Sequence, residues 1–318
     1  MKNGIAVAGT ILVDEINEIS AYPKSGELTK ILKVGKSVGG CVPNVSVALK
    51  RIRPDIPVKV LGRIGNDDNG NYLKNTFTKN GVDFSNMVVG ETPTSFTQVI
   101  SVTGGERTFF TYAGANNDFS ASDVDAENLG VKMFHLGYLL LIEKIDNGEG
   151  VELLKAVKKA GIKTSIDLVT ENSNRYSKAL PCLPYVDNII INEIEAGALV
   201  NVKPTNDNLT QIARKIKALG VSERVIIHSP ALAVCVSNDG ETTLPSFDFP
   251  SELIVGTTGA GDAFCAGALI AIYQEKSDIE ILKFAQSSAV CSLTAVDATS
   301  GVREQSQIIE FCKNFRRK

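Results

Sequence analysis

From about residue 130 onward, apolar runs of strand length alternate with segments whose apolar residues recur at helical spacing, a rhythm that leaves few folds open. Val131 to Leu136 reads as a strand, followed by helical spacing through Val151, Leu154 and Val157. Thr164 to Leu168 and Asn188 to Ile191 read as further strands, with helices at Glu193 to Leu199 and Leu209 to Leu219. Val225 to Ile227, Ala233 to Val236 and Thr242 to Leu244 continue the series, and Leu282 to Leu293 and Ile308 to Phe315 read as terminal helices. Parallel strands need a long crossover between them, which a helix supplies. The expected fold is therefore α/β, a three-layer α/β/α sandwich on a mainly parallel sheet. Upstream, Ile5 to Ala8 is a first buried strand, Val45 to Ile52 a helix, Val58 to Leu61 a strand, and Tyr72, Leu73 and Phe77 fit a helix ending near Gly81.

Two segments break the rhythm. Residues 15–38 read as short antiparallel strands with turns at Tyr22-Pro23 and Ser25-Gly26, and residues 94–114 contain a hairpin. Its arms are Ser95 to Val102 and Arg107 to Tyr112, with a tight turn at Gly104-Gly105. Phe96, Ile100 and Val102 share one face and Thr97, Ser101 and Thr103 the other, which predicts one buried side and one polar side. The expected division is an α/β domain of residues 1–14, 39–93 and 115–318, with 15–38 and 94–114 forming a small β-sheet lid.

Composition narrows the function classes. A chain of 318 residues that is 43% apolar can bury a full core. Its formal net charge of −3, with no long Lys/Arg stripe, disfavours nucleic acid as a partner. The six cysteines (Cys41, Cys182, Cys235, Cys265, Cys291 and Cys312) show no CxxC pair or metal-ligand spacing and read as reduced thiols of a cytoplasmic protein. With only His135 and His228, a histidine-based zinc site or a Ser-His-Asp triad has little material. The apolar run Phe134 to Ile142 is far shorter than the roughly 20 residues that cross a bilayer, so no membrane partner is expected.

The chemistry concentrates in Gly256-Thr257-Thr258-Gly259-Ala260-Gly261-Asp262, which runs into the apolar stretch Ala263 to Ile270. A glycine turn opening a helix aims unpaired N–H groups and the positive end of the dipole at one point, which suits a phosphate. A carboxylate placed there would repel that phosphate unless it has a task, and deprotonating an attacking hydroxyl is such a task. Asp262 could equally cap the helix. Ligands of open α/β sheets sit beyond the carboxyl ends of the strands. Asp14, Gly39-Gly40 with Asn44, Asn192 with Glu195, and Asp262 all fall at that edge. Each has a plainer role open to it: Asp14 as a turn former, Asn44 as a helix cap, Glu195 as a dipole partner. Arg107 on the hairpin reads as a solvated charge, with contact to substrate as the alternative.

With these residues in place, the chain from Gly9 to about Gly301 resembles the ribokinase-like (PfkB) family of carbohydrate kinases. Gly39-Gly40-Cys41-Val42-Pro43-Asn44 is similar to the GGxxxN signature, Asn192-Glu193-Ile194-Glu195 to NxxE, and Gly256 to Asp262 to D-T-x-G-A-G-D. The segments Gly62…Gly65-Asn66-Asp67…Gly70, Gly81-Val82-Asp83 and Gly114-Ala115-Asn116 resemble further landmarks. The resemblance implies ATP-dependent phosphorylation of a sugar hydroxymethyl group, with Asp262 as base and the N–H groups of Gly259, Ala260 and Gly261 as anion hole. It places Asp14, Gly39, Gly40 and Asn44 on the substrate, the glycines as lid hinge. Asn192, Glu195, Thr257, Gly259, Gly261, His228 and Ser229 fall on the nucleotide, and Glu195 holds Mg²⁺ through water. A homodimer through the lid is also implied.

The chain departs from the family pattern in three places. Gly256 stands where the family carries the Asp that helps bind a monovalent cation, so K⁺ activation is not expected. His228-Ser229-Pro230-Ala231-Leu232-Ala233 replaces a glycine-containing segment near the ATP phosphates, and Pro230 brings no N–H. His228 replaces a hydroxyl there or is simply a strand-end histidine. Leu12 and Cys41 occupy positions where ribokinases proper tend to have Asn and Lys, which points away from ribose itself. A nucleoside kinase and a non-catalytic sugar- or nucleotide-binding regulator are the other readings. A dehydrogenase is disfavoured, since no G-x-G-x-x-G follows the first strand.

Overall fold

The computed structural model of the protein describes residues 2–102, 107–171 and 174–318. In chain order the elements open with β1 (Ile5–Gly9), β2 (Leu12–Ile19), β3 (Ile31–Gly39), α1 (Cys41–Ile52), β4 (Val58–Leu61), β5 (Arg63–Gly65) and α2 (Asp68–Lys79). There follow β6 (Val88–Gly90), β7 (Phe96–Val102), β8 (Arg107–Tyr112), β9 (Met133–Leu139), α3 (Gly150–Lys159) and β10 (Lys163–Leu168). The chain continues with β11 (Asn188–Asn192), α4 (Glu193–Leu199), α5 (Leu209–Ala218), β12 (Arg224–His228), β13 (Leu232–Ser237) and β14 (Glu241–Pro245). It closes with α6 (Ala260–Tyr273), α7 (Asp278–Ser292) and α8 (Gln305–Cys312).

The main sheet has eight strands in the order β14-β13-β12-β11-β10-β9-β1-β4. From β4 to β12 every pairing is parallel, and β13 and β14 add an antiparallel edge. Both faces are covered, so the central strands read as unbroken apolar runs. Ile5 and Val7 pack with α1 and α6 on one face, while Ala6 and Ala8 pack with Leu153, Leu154 and Ile212 on the other. Helix α6 is buried along nearly its whole length, and its small residues let neighbours approach. A Cβ at Gly267 would stand 2.5 Å from the Ser288 hydroxyl of α7.

A second sheet has the order β3-β2-β7-β8. The expected antiparallel arrangement holds for β2 with β3 and β7 with β8, but β2 and β7 run parallel. Leu12, Val13 and Asp14 already belong to this sheet, so its first strand starts earlier than residue 15. The turn expected at Gly104-Gly105 lies outside the described residues, as does Thr103. The hairpin faces differ from expectation. Thr97 and Val99, on the side expected to be polar, are the buried residues, whereas Phe96 and Ile100 are half-buried. The Thr97 and Thr111 hydroxyls lie 3.1 Å apart across the strands, and this pairing satisfies the buried hydroxyl. Gln98, on the Phe96 side, bonds Asn17 and the Glu15 carboxylate, so the true pattern is mixed on both faces. Strand β8 is exposed throughout and β3 is exposed over its first six residues.

Candidate active site

Helix α6 begins where the backbone must turn sharply. Gly259, its cap, has φ 79°, and a Cβ there would lie 2.3 Å from Cβ of Ala298, so only glycine fits. The N–H groups of Gly259 and Gly261 have no backbone partner among the described residues, while that of Ala260 donates to the Thr257 carbonyl at 3.3 Å. Two of the three expected anion-hole donors are thus free. Asp262 follows on the first turn and does not cap the helix. The residue is only 5% exposed. It accepts from Nδ2 of Asn44 at 2.9 Å and from the Tyr138 hydroxyl at 3.0 and 3.1 Å. Burial, reinforced by the negative charge of Asp167, pushes its pKa up to about 7.

Asn44 comes from α1, whose cap is Gly40 at φ 86° and not Asn44 itself. A Cβ at Gly40 would lie 2.6 Å from the Thr10 carbonyl, and one at Gly39 would lie 2.6 Å from Oδ2 of Asp14. The double glycine therefore lets β3 enter α1 between Thr10 and Asp14. With its amide nitrogen on Asp262, Asn44 keeps Oδ1 buried and without a partner among the described residues. Asp14, in β2, has its pKa raised to about 6 by burial, and its carboxylate has no hydrogen-bond partner among the described residues. One orphaned acceptor and one unpaired carboxylate flank the double glycine. Both call for hydroxyl donors.

Asn192 and Glu195 form a reciprocal cap at the start of α4. Glu195 Oε2 accepts from the Asn192 N–H at 3.1 Å, and Oε1 accepts from Asn192 Nδ2 at 2.7 Å and from Thr170 at 2.8 Å. Burial nevertheless raises its pKa to about 7. Both residues, with Asp167, His228, Gly259, Gly261 and Asp262, line a cavity of about 250 Å³. Three carboxylates face it, and no Lys or Arg lines it among the described residues. Such a cavity repels phosphate unless a cation accompanies it. The residues therefore fit Mg²⁺, and because both Glu195 oxygens are already engaged, contact through water.

His228 stacks on Phe264 at 4.5 Å and reaches to 3.9 Å from where a Gly261 Cβ would be. Desolvation lowers its pKa to about 4, so it is neutral at pH 7. Ser229 does not join the site. Its hydroxyl takes the Ala231 and Leu232 N–H groups and donates to the Leu232 carbonyl, all within the β12–β13 turn. Thr257 is exposed and does not line the cavity. Arg107 is exposed too, as expected of a solvated charge, and borders a cleft of about 580 Å³ that reaches Ile16, Ser37 and Asn44.

Sequence reasoning missed Tyr138 and Asp167, which end β9 and β10. The strand-end rule that picked out Asn192 applies to them equally. Tyr138 also has φ 55°, a left-handed backbone rare outside glycine and typical of strained functional sites.

Residues 5–305 match the sequence pattern of the family described as pfkB family carbohydrate kinase. A ribokinase from Haemophilus influenzae is 26% identical over 315 residues, covering 99% of this chain and 100% of that protein. Adenosine kinase 1 of Arabidopsis thaliana is 29% identical over 278 residues, covering 82% of this chain and 79% of that one. The solved structure of Arabidopsis thaliana ribokinase complexed with ribose and ATP superimposes with a TM-score of 0.83 at 23% identity, covering 98% of this chain and 99% of that one. Together with the buried carboxylate at a glycine-opened helix, the family match over nearly the whole chain shows that this protein belongs to the pfkB family of carbohydrate kinases, phosphotransferases acting on a sugar or nucleoside alcohol.

Proposed function

We propose that the protein transfers the γ-phosphate of ATP to a hydroxymethyl group of a small sugar. The observation that carries this reading is Asp262: a buried carboxylate with a pKa of about 7, set beside free N–H groups at a helix start. Asp262 accepts the proton of the attacking hydroxyl, and the Gly259 and Gly261 amides take up charge on the migrating group. Asp14 and Asn44 Oδ1 accept hydrogen bonds from other sugar hydroxyls and orient the attack. Asn192 and Glu195 hold the hydrated Mg²⁺ of the nucleotide, which when bound neutralises phosphate charge. His228 stands beside the glycine turn as a neutral contact for the phosphate end. The ATP and Mg²⁺ assignment is supported by structural neighbours, a putative ribokinase II from E. coli in complex with ATP and Mg²⁺ among them.

The second sheet serves as the lid. Asp14, Ile16, Thr97, Val99, Thr111 and Phe109 share one of its faces by register, and closing that face excludes water from the transfer. Val34 is 73% exposed and Phe110 61% exposed on its two edge strands. Apolar edges of this kind favour a second copy, so the assembly is a homodimer paired through the lids. K⁺ is not required. Position 256 has no carboxylate, and even a Cβ there would lie 2.7 Å from the Ala295 carbonyl. The six cysteines are free and buried, which suits the cytoplasm. No helix among the described residues is long and apolar enough to cross a membrane.

A nucleoside is the second reading, favoured by Phe109, an aromatic ring on the Asp14 side of the lid that can stack on a base, and by the adenosine kinase relative. The test is ADP release with ATP and Mg²⁺ across pentoses, hexoses, sugar phosphates and nucleosides, with and without K⁺. A sugar is expected to give turnover that K⁺ does not change. Turnover with nucleosides alone selects the second reading. Tight binding of one compound with no release from any marks a non-catalytic regulator.

A further inference from the structure

Beneath the candidate active site, on the α1 and α6 side of the main sheet, lies a cluster whose Cys41 and His135 have no part in the proposed phosphoryl transfer and whose Asp167 acts there only through its charge on Asp262. The Sγ of Cys41, a ring nitrogen of His135 and a carboxylate oxygen of Asp167 all lie within 4.8 Å of one another, and all three residues are buried. We propose that these three side chains form a binding site for a Zn²⁺-class divalent cation, independent of the nucleotide's Mg²⁺.

The candidate ligand atoms contact one another and Cys265, while the Ser165 hydroxyl and the Tyr138 N–H anchor His135 and Asp167 from outside the cluster. His135 Nδ1 meets the Ser165 hydroxyl at 2.8 Å, so Nε2 points into the cluster. Asp167 Oδ1 accepts from the Tyr138 N–H at 2.5 Å, so Oδ2 turns to His135 at 3.3 Å and to Cys41 Sγ at 3.8 Å. Outer anchors of this kind orient ligands in metal sites. Bond lengths to tetrahedral zinc imply ligand-to-ligand edges of roughly 3.3–3.8 Å, and both distances to Oδ2 fall there. The sulfur also has room made for it, since a Cβ on Gly137 would stand 1.7 Å from it. Cys265 brings a second thiol, 3.5 Å from His135 Nε2. Access comes from the active-site cavity, whose lining includes Asp167 and Cys265. Thiolate, imidazole and carboxylate together select zinc-like ions over Mg²⁺, which prefers oxygen ligands. On binding, the Cys41 thiol gives its proton to solvent and the metal takes its place.

Cobalt(II) is the probe, titrated into the purified full-length protein without nucleotide, read by absorption and confirmed by competition with zinc. The expected result is one cobalt per chain, with a thiolate-to-cobalt charge-transfer band that zinc displaces. Cys41→Ser should abolish the band and Asp167→Asn should weaken cobalt affinity at least tenfold, while Cys182→Ser, in the apolar layer across the sheet, should leave it intact. Circular dichroism checks that each variant is folded. No charge-transfer band in the wild-type protein, or an unchanged band in folded Cys41→Ser, overturns the proposal and leaves the cluster a hydrogen-bond network. The readout is metal binding alone, so it stands or falls separately from kinase turnover.

Discussion

Asp262 must be ionised to accept a proton, yet the fold holds it where water cannot solvate its charge. Burial and the neighbouring Asp167 raise its pKa to about 7, and Glu195 adds to the repulsion. Turnover should therefore show an acid limb in kcat/KM with an apparent pKa near 7, belonging to the coupled carboxylates jointly. A flat profile from pH 5 to 8 would remove Asp262 as base. Tyr138→Phe deletes a hydrogen bond that stabilises the carboxylate, so its limb should move to higher pH. Linkage gives a second consequence. A carboxyl whose pKa is higher folded than unfolded favours the native state most below its unfolded pKa, near 4. That contribution is lost as pH rises through the folded value near 7. Asp262→Asn should thus lose at least about a thousandfold in kcat, because the base is gone. The same variant should melt a few degrees higher than wild type at pH 8, where it relieves the cost of a buried charge, and show no such gain at pH 4. Thermal melts at the two pH values check the sign.

At the scale of elements, two glycine-opened helices bring the site together. Helix α1 starts at Gly40 and α6 at Gly259, both with positive φ, and they meet through the Asn44–Asp262 hydrogen bond. Gly40→Ala places a Cβ 2.6 Å from the Thr10 carbonyl at φ 86°. It should cost about 1–3 kcal/mol of stability and reduce turnover by shifting Asn44, as measured by denaturant unfolding and steady-state kinetics. The motifs around these glycines were legible because special backbone geometry demands special residues. The hairpin faces were not. Phe96, Ile100 and Val102 alternate with Thr97 and Ser101, yet Gln98 and Val99 interrupt that pattern and Thr97 is buried where it pairs with Thr111. Likewise the parallel pairing of β2 with β7 joins residues about eighty positions apart, and no local pattern encodes it.

The whole molecule joins a doubly covered sheet to a small one whose edges remain open. Its exposed apolar residues predict a dimer by light scattering at micromolar concentration, and Val34→Lys with Phe110→Lys should give the monomer mass with the fold retained. A wild-type monomer would count against pairing through the lid. By itself, the sequence determined the layered α/β architecture, because strand and helix periods are local properties of neighbouring residues. It also marked Asp14, Asn44, Asn192, Glu195 and Asp262, because signature spacing and strand ends are local as well. Only the tertiary structure decided that the Tyr138 hydroxyl bonds Asp262 and that Asp167 comes close enough to repel it, that Asn44 reaches Asp262 in place of capping a helix, and that Ser229 turns away into its own hairpin. Those outcomes depend on which strand lies beside which and on what each buried polar atom finds within about 3 Å, and that distance has no counterpart along the chain.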